Sequence, residues 1–318
     1  MYDQFQRRIN YLRVSITDRC NLRCCYCRPQ NGMAAYVGEA LTYGELLRIC
    51  RCASALGVDC FKVTGGEPLV RPGAADFVGA LKGLAGVRQV TLTTNGTYFA
   101  ACLQQMLAAG LDGVNFSLDT VDAALYHQLT GGELALALQG IDAAVRAGLA
   151  CKLNCVPLKG RTPQELLSLL RFADSCGAPL RFIELMPLDC NRELRGLSGS
   201  QVRSLLAQAG VVWSRDAASY GNGPAVYYRA AGYSVPVGFI EPLHNKFCAA
   251  CNRVRLTSGG LLKTCLYRPA ALDLKALLRG GADDAAIGLA LRQTIYNKPA
   301  GHSFASCPAG FAMSEIGG

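Results

Sequence analysis

Between residues 11 and 187, a short β-branched run followed by a longer Ala- and Leu-rich stretch recurs along the chain. This alternation limits the fold more than any other feature. Apolar strands separated by helical stretches do not pair as hairpins; they form a parallel sheet with helices packed outside it. The pattern predicts strands over 12–17, 59–64, 89–94, 113–118, 150–156 and 180–185. Helices are predicted over 74–84, 98–109, 133–147 and 163–176, and from a cap at Thr42 to residue 56. Glu45 completes a capping box with Thr42, and Thr162 before Pro163 reads as an N-cap and first helical position. Right-handed crossovers leave a barrel-like wrap or an open doubly wound sheet. Six units are too few for an eight-stranded barrel, and in either form the ligand site is expected at the carboxyl ends of the strands.

After Met186 the pattern changes. A linker over 187–200 leads to a helix over 201–208, then shorter β-like runs over 225–230, 234–240, 253–257 and 261–264. Helical stretches over 272–278 and 283–296 follow. The chain therefore divides into residues 1–187 and a smaller α+β region, 188–318. With 318 residues, 51% of them hydrophobic and 17% charged, it can bury a sizeable core and is not a disordered chain. The first twenty residues lack the apolar core of a secretory signal, and no run of 18 apolar residues appears, so a cytoplasmic protein without a membrane span is expected.

In that compartment thiols stay reduced, and the sixteen cysteines suit metal ligation better than disulfides. Cys20, Cys24 and Cys27 form C-x3-C-x2-C on the loop after the first strand. Clustered thiolates at this spacing point to an iron–sulfur cluster, and three ligands for four irons leave one iron open for chemistry. Cys25 is out of phase with them and reads as a spare thiol. Cys248, Cys251 and Cys265 form C-x2-C-x13-C. On spacing alone this second triad suits structural zinc as well as a second cluster; His244, His302 and Cys307 are the nearby fourth ligands zinc would require.

Arg13, Lys62, Lys152 and Arg181 interrupt otherwise apolar strands. They either extend their stems outward to solvent or converge on a polyanion, since a buried charge needs a partner. Arg253 and Arg255 alternate in CNRVR and share one strand face. In TGGEPL, Gly65 and Gly66 admit close backbone approach, and Glu67 can accept from an ammonium group. The net charge of +9 raises a second class of reading, a zinc-stabilised nucleic-acid-binding module. Against it stand the absence of a dense Lys/Arg run and an aromatic content of only 8%. His127, His244 and His302 read as structural, and no acid–base triad is apparent.

The C-x3-C-x2-C loop and TGGEPL resemble the radical S-adenosylmethionine (SAM) enzymes. More narrowly, LRVSITDRCNLRCCYC, FKVTGGEPLVR, TLTTNG, FSLDT, RFIELMP, FCAACNRVRLTSGGLLKTCL and the terminal Gly-Gly are similar, in order, to the GTP 3′,8-cyclase family of molybdenum cofactor biosynthesis. The resemblance implies an incomplete (β/α)6 TIM-like barrel of the radical SAM type, its mouth closed by the smaller α+β region. It implies two [4Fe-4S] clusters, one on each triad, and so favours iron–sulfur over zinc for the second. It implies SAM contacts at Tyr26, Gly66, Ser117 and Met186, beside Glu67, and GTP contacts at Arg13, Lys62, Thr93 and Lys152, with Arg181 supported less directly. The segment Arg253, Val254, Arg255 is matched to GTP, and Arg253 and Arg255 with Gly317 and Gly318 are carried over as catalytic. The implied reaction is radical cyclisation of GTP to 3′,8-cyclo-7,8-dihydro-GTP. An external one-electron donor, a homodimer, and transfer of product to the downstream cyclic pyranopterin monophosphate synthase go with it, without nucleic acid or membrane. The rival within the same chemistry is a radical SAM enzyme with an auxiliary cluster acting on a peptide.

Overall fold

The computed structural model describes residues 1–27, 39–188 and 191–302. All six expected strands form: β1 Tyr11–Ser15, β2 Cys60–Thr64, β3 Gln89–Thr94, β4 Gly113–Ser117, β5 Cys151–Cys155 and β6 Leu180–Ile183. Their crossovers carry α1 Tyr43–Ala55, α2 Ala74–Lys82, α3 Phe99–Ala108, α4 Ala123–Thr130, α5 Leu134–Arg146 and α6 Pro163–Ser175. Thr42 and Thr162 each close a full capping box, with Glu45 and Glu165. Helix α4 went unforeseen because it is short and lies between Asp-Thr and Gly-Gly turn residues; Asp122 caps it.

Beyond β6 come α7 Gly199–Gln208, β7 Trp213–Asp216, β8 Val226–Ala230, β9 Pro236–Ile240, β10 Arg253–Leu256, β11 Leu261–Lys263, β12 Leu272–Asp273, α8 Leu274–Arg279 and α9 Asp284–Tyr296. Among the described residues, twelve strands form one sheet in the order β12-β11-β10-β1-β2-β3-β4-β5-β6-β9-β8-β7. The last segments of the chain thus join both edges of the six-stranded wrap. Strand β10 pairs parallel with β1, and β9 pairs parallel with β6. An open parallel sheet leaves two rows of unpaired backbone groups, and these strands satisfy both. The C-terminal region extends the sheet itself, and β12 and β7 remain as separate edges, so no hydrogen-bonded ring closes.

Side chains alternate across the sheet. Leu12, Val14, Phe61, Val63, Val90, Leu92, Val114, Phe116, Leu153 and Phe182 are buried under the helices. Phe116 meets Phe99 of α3 edge to face, with centroids 5.1 Å apart. Helix α9 returns to pack on α1. The intervening strand residues face the concave interior, and the polar ones are found there. Among the described residues, no helix is long and apolar enough to cross a membrane.

Candidate active site

The concave side encloses a cavity of about 380 Å³. Register fixes its wall. Arg255 on β10 stands opposite Arg13 on β1, and Arg13 opposite Lys62 on β2. Thr93, Asn115 and Lys152 form a second row across β3, β4 and β5. Arg181 on β6 lies beside Asn154, to which its Nε donates at 2.8 Å. Arg13, Lys62, Thr93, Lys152, Arg181, Arg253 and Arg255 all line this one space. The outward, snorkelling alternative therefore does not hold for these basic residues.

Among the described lining residues, Asp119 and Glu184 are the only carboxylates. The excess of cations shows in their acidities. Burial, then Arg13, Arg181 and Lys152, push Lys62 well below an ordinary lysine. Burial, then Arg13 and Arg253, push Arg255 well below an ordinary arginine. Burial and Arg181 bring Lys152 down to about 8. Like charges driven together in a desolvated space call for an anionic ligand. The buried Thr93 hydroxyl has no hydrogen-bond partner among the described residues.

The first triad sits at the carboxyl end of β1. Its loop is tied to the end of α4 by Arg23 N–H to Thr130 O at 2.8 Å and Cys25 N–H to Leu129 O at 2.9 Å. Cys20, Cys24 and Cys27 line the cavity, whereas Cys25 does not. Burial first, then Cys27, Asp119, Cys20 and Cys25, push the Cys24 thiol well above its ordinary value. Among the described residues, no three His, Cys, Asp or Glu side chains are gathered at single-ion spacing. A four-iron cluster, with thiolates on separate corners of a cube, makes no such demand, and three mutually interacting thiols on one loop fit it.

Around this loop, Tyr26 OH donates to Asp119 Oδ2 at 2.6 Å, and Asn191 Nδ2 donates to Tyr26 O at 3.0 Å and Met186 O at 3.2 Å. Gly66 has no room for a side chain, since a Cβ there would lie 2.4 Å from Arg19 O. Ser117 and Met186 line the cavity. Glu67 is not among the lining residues. It is 1% exposed, and its oxygens accept from Leu69 N–H at 3.0 Å, Thr94 Oγ1 at 2.8 Å and Asn95 N–H at 2.7 Å. Its carboxylate locks the glycine loop to the end of β3, and burial raises its pKa to about 7 against those hydrogen bonds.

The second triad lies at the opposite end of the strands. Cys251 precedes β10, which runs parallel to β1, and Cys265 follows β11, which runs antiparallel to β10. Cys248, Cys251 and Cys265 line the same cavity as the first triad. Burial alone would raise the Cys251 thiol, but Lys298 and Arg253 bring it below its ordinary value. Arg7, salt-bridged to Asp3 at 2.6 Å, donates to Cys248 O at 2.9 Å and Pro299 O at 2.7 Å, clamping this loop to the segment after α9. His244 is engaged by the buried Glu184. Strand alternation turns the Val254 side chain to the buried face, at 1% exposure, while Arg253 and Arg255 line the cavity. Gly317, Gly318, Cys190 and Cys307 lie outside the described residues.

Sequence reasoning missed Arg7, Asp119, Asn191, Lys263 and Lys298 as lining residues. Lys263 carried a signal, a lone lysine between apolar neighbours, and it stands opposite Arg255. Asp119 lay inside FSLDT but looked like a turn residue. Lys298 and Arg7 gave none, because distant segments bring them to the second triad.

Two family models match the chain: the Radical SAM superfamily over residues 14–173 and Molybdenum Cofactor Synthesis C over residues 178–304. A GTP 3′,8-cyclase of Pseudomonas putida strain W619 is 42% identical over 96% of this chain and 93% of its own length. The GTP 3′,8-cyclase of Pelotomaculum thermopropionicum is 40% identical over 100% of both chains. Among solved structures, SAM-bound SuiB of Streptococcus suis superposes with a TM-score of 0.64 at 17% identity, over 88% of this chain and 67% of that one. That likeness concerns the fold alone; the sequence relatives and both family models make the chain a member of the GTP 3′,8-cyclase family within the radical SAM superfamily.

Proposed function

We propose that this enzyme converts GTP to 3′,8-cyclo-7,8-dihydro-GTP, the first step of molybdenum cofactor biosynthesis. The observation that carries the reading is the single cavity: two cysteine triads at opposite ends, with a wall of cations between them. Cys20, Cys24 and Cys27 would hold the [4Fe-4S] cluster of the superfamily, with SAM against Tyr26, Gly66, Ser117 and Met186. When bound, these cofactors supply one-electron chemistry that abstracts hydrogen. The chain itself binds and orients. Arg13, Lys62, Thr93, Lys152, Arg181, Arg253 and Arg255 meet the triphosphate and fix the nucleotide by charge-assisted hydrogen bonds. The enclosing strands keep bulk water from the reacting groups.

Cys248, Cys251 and Cys265 would hold a second [4Fe-4S] cluster, supported by the cationic groups that favour thiolate at Cys251. An external one-electron donor, a homodimer, a cytoplasmic setting and product transfer to cyclic pyranopterin monophosphate synthase complete the proposal. So do active-site roles for Gly317 and Gly318, and a working division of the chain at residues 187 and 188. The test is an anaerobic assay of reconstituted enzyme with SAM, GTP and dithionite, with metal analysis alongside. About eight irons per chain and GTP-dependent 5′-deoxyadenosine support two clusters. Stoichiometric zinc in place of half the iron would overturn the second; SAM cleavage indifferent to GTP but stimulated by a peptide would overturn the substrate.

A further inference from the structure

The hairpin between β7 and β8 enters the cavity from the far side of the sheet. Gly221, Asn222, Gly223 and Pro224 at its tip line the cavity beside Gln89 and Lys152, although β7 is the outermost strand. The tip is anchored across the interior: Asn222 Nδ2 donates to Gln89 Oε1 and to Cys60 Sγ, both at 3.0 Å. Gln89 and Cys60 begin β3 and β2, so the tip spans the amino ends of the strands as a floor. Its base is braced by Tyr220 OH to Asp216 Oδ2 and Arg229 Nε to Asp216 Oδ2, both at 2.7 Å.

Two cations rest on this hairpin. At Gly221, with φ at +117°, a Cβ would lie 2.8 Å from Lys152 Nζ, so the absent side chain is the space the ammonium occupies. Tyr227 on β8 packs against Tyr220 with centroids 4.7 Å apart and is hydrogen-bonded to Arg181. Gly238, opposite Tyr227 in the sheet, leaves room for both groups: a Cβ there would lie 2.7 Å from the Tyr227 ring and 3.1 Å from Arg181 Cγ.

We propose that the tip of the β7–β8 hairpin is the floor of the polyphosphate site, and that Gly221 and Asn222 are positioning residues that hold Lys152 and the closed end of the cavity in place for the terminal phosphates. The inference rests on the GTP reading above and names the element that confers selectivity for the phosphate chain. Binding of GTP, inorganic tripolyphosphate, guanosine and SAM to the reconstituted full chain tests it, by anaerobic calorimetry. Gly221→Ala displaces the Lys152 ammonium, and Asn222→Ala releases the tip. Each is expected to weaken GTP and tripolyphosphate by about tenfold, the scale of one charge-assisted contact, while guanosine and SAM bind as before. Unchanged GTP affinity in both variants overturns the proposal. So does an equal loss for guanosine, which would make the hairpin a general scaffold. If Gly221→Ala does not fold, Asn222→Ala, free of backbone strain, decides. If the unaltered chain binds SAM but neither GTP nor tripolyphosphate, the substrate reading falls first and this inference with it.

Discussion

The two triads use the same three ligand atoms in opposite electrical surroundings. Around Cys24 stand other thiols and the buried Asp119, and the thiol is pushed well above its ordinary value, burial contributing most. Burial acts on Cys251 too, yet Lys298 and Arg253 overcome it and the thiol falls below its ordinary value. Beside Cys24 the thiols and Asp119 add negative potential to that burial. A site that invites negative charge suits a nucleotide. The difference teaches that residue type and spacing do not set the electrical surroundings of a cysteine triad; the residues brought against it do.

The comparison can be broken most sharply at the thiols. Cys24→Ala should abolish SAM cleavage altogether, whereas Cys251→Ala should retain the first cluster's electron paramagnetic resonance signal and some SAM cleavage while losing cyclised product. Loss of both activities in both variants would mean that the two sites are one functional unit. Next in size is Arg255→Ala, which removes a half-buried cation from the Arg255–Arg13–Lys62 row. GTP affinity should fall by about 2–3 kcal/mol, roughly 30- to 150-fold, with SAM affinity unchanged. Asp119→Asn makes the converse test on the SAM side. It weakens the Tyr26 hydrogen bond from a charged to a neutral acceptor, for about 1 kcal/mol or a fewfold loss in SAM affinity, and GTP affinity should stay level.

The first of these regions was far more legible in the sequence than the second. Strands β1 to β6 announced themselves through apolar runs, and the Cys20–Cys24–Cys27 loop through local spacing, because neighbours in sequence make both. Capping boxes at Thr42 and Thr162 were legible for the same reason. The second region depends on partners distant in sequence, 241 residues away for Arg7 and Cys248 and 45 for Lys298 and Arg253. Arg7 and Lys298 meet at Cys248 and Cys251 only after β10 has docked on β1. That docking was hidden because 253–257 read as a small local strand, with nothing to say that an edge of the parallel sheet was waiting for it. The three donors that reach the Glu67 carboxylate, from Leu69, Thr94 and Asn95, were likewise not legible in its motif.

The smallest expected effect concerns pH, and it separates the regions without removing an atom. Lys152 has its pKa lowered to about 8 by burial and by Arg181, so in the free enzyme it loses its proton just above neutrality. A bound polyphosphate favours the charged ammonium and raises that pKa again. The complex therefore holds more proton than the free enzyme above pH 8, and affinity must fall as pH rises through that value. Below it Lys152 is charged in both states and adds no pH dependence of its own. GTP dissociation constants measured from pH 7 to 9 should rise by up to about tenfold per unit above pH 8, the limit for one proton. Lys152→Arg, which stays charged across this range, should flatten the curve. SAM affinity at the first triad should not follow this curve, because Lys152 belongs to the cation wall. A parallel fall in both affinities, or a profile untouched by Lys152→Arg, would place the titrating group elsewhere and remove Lys152 from the phosphate site.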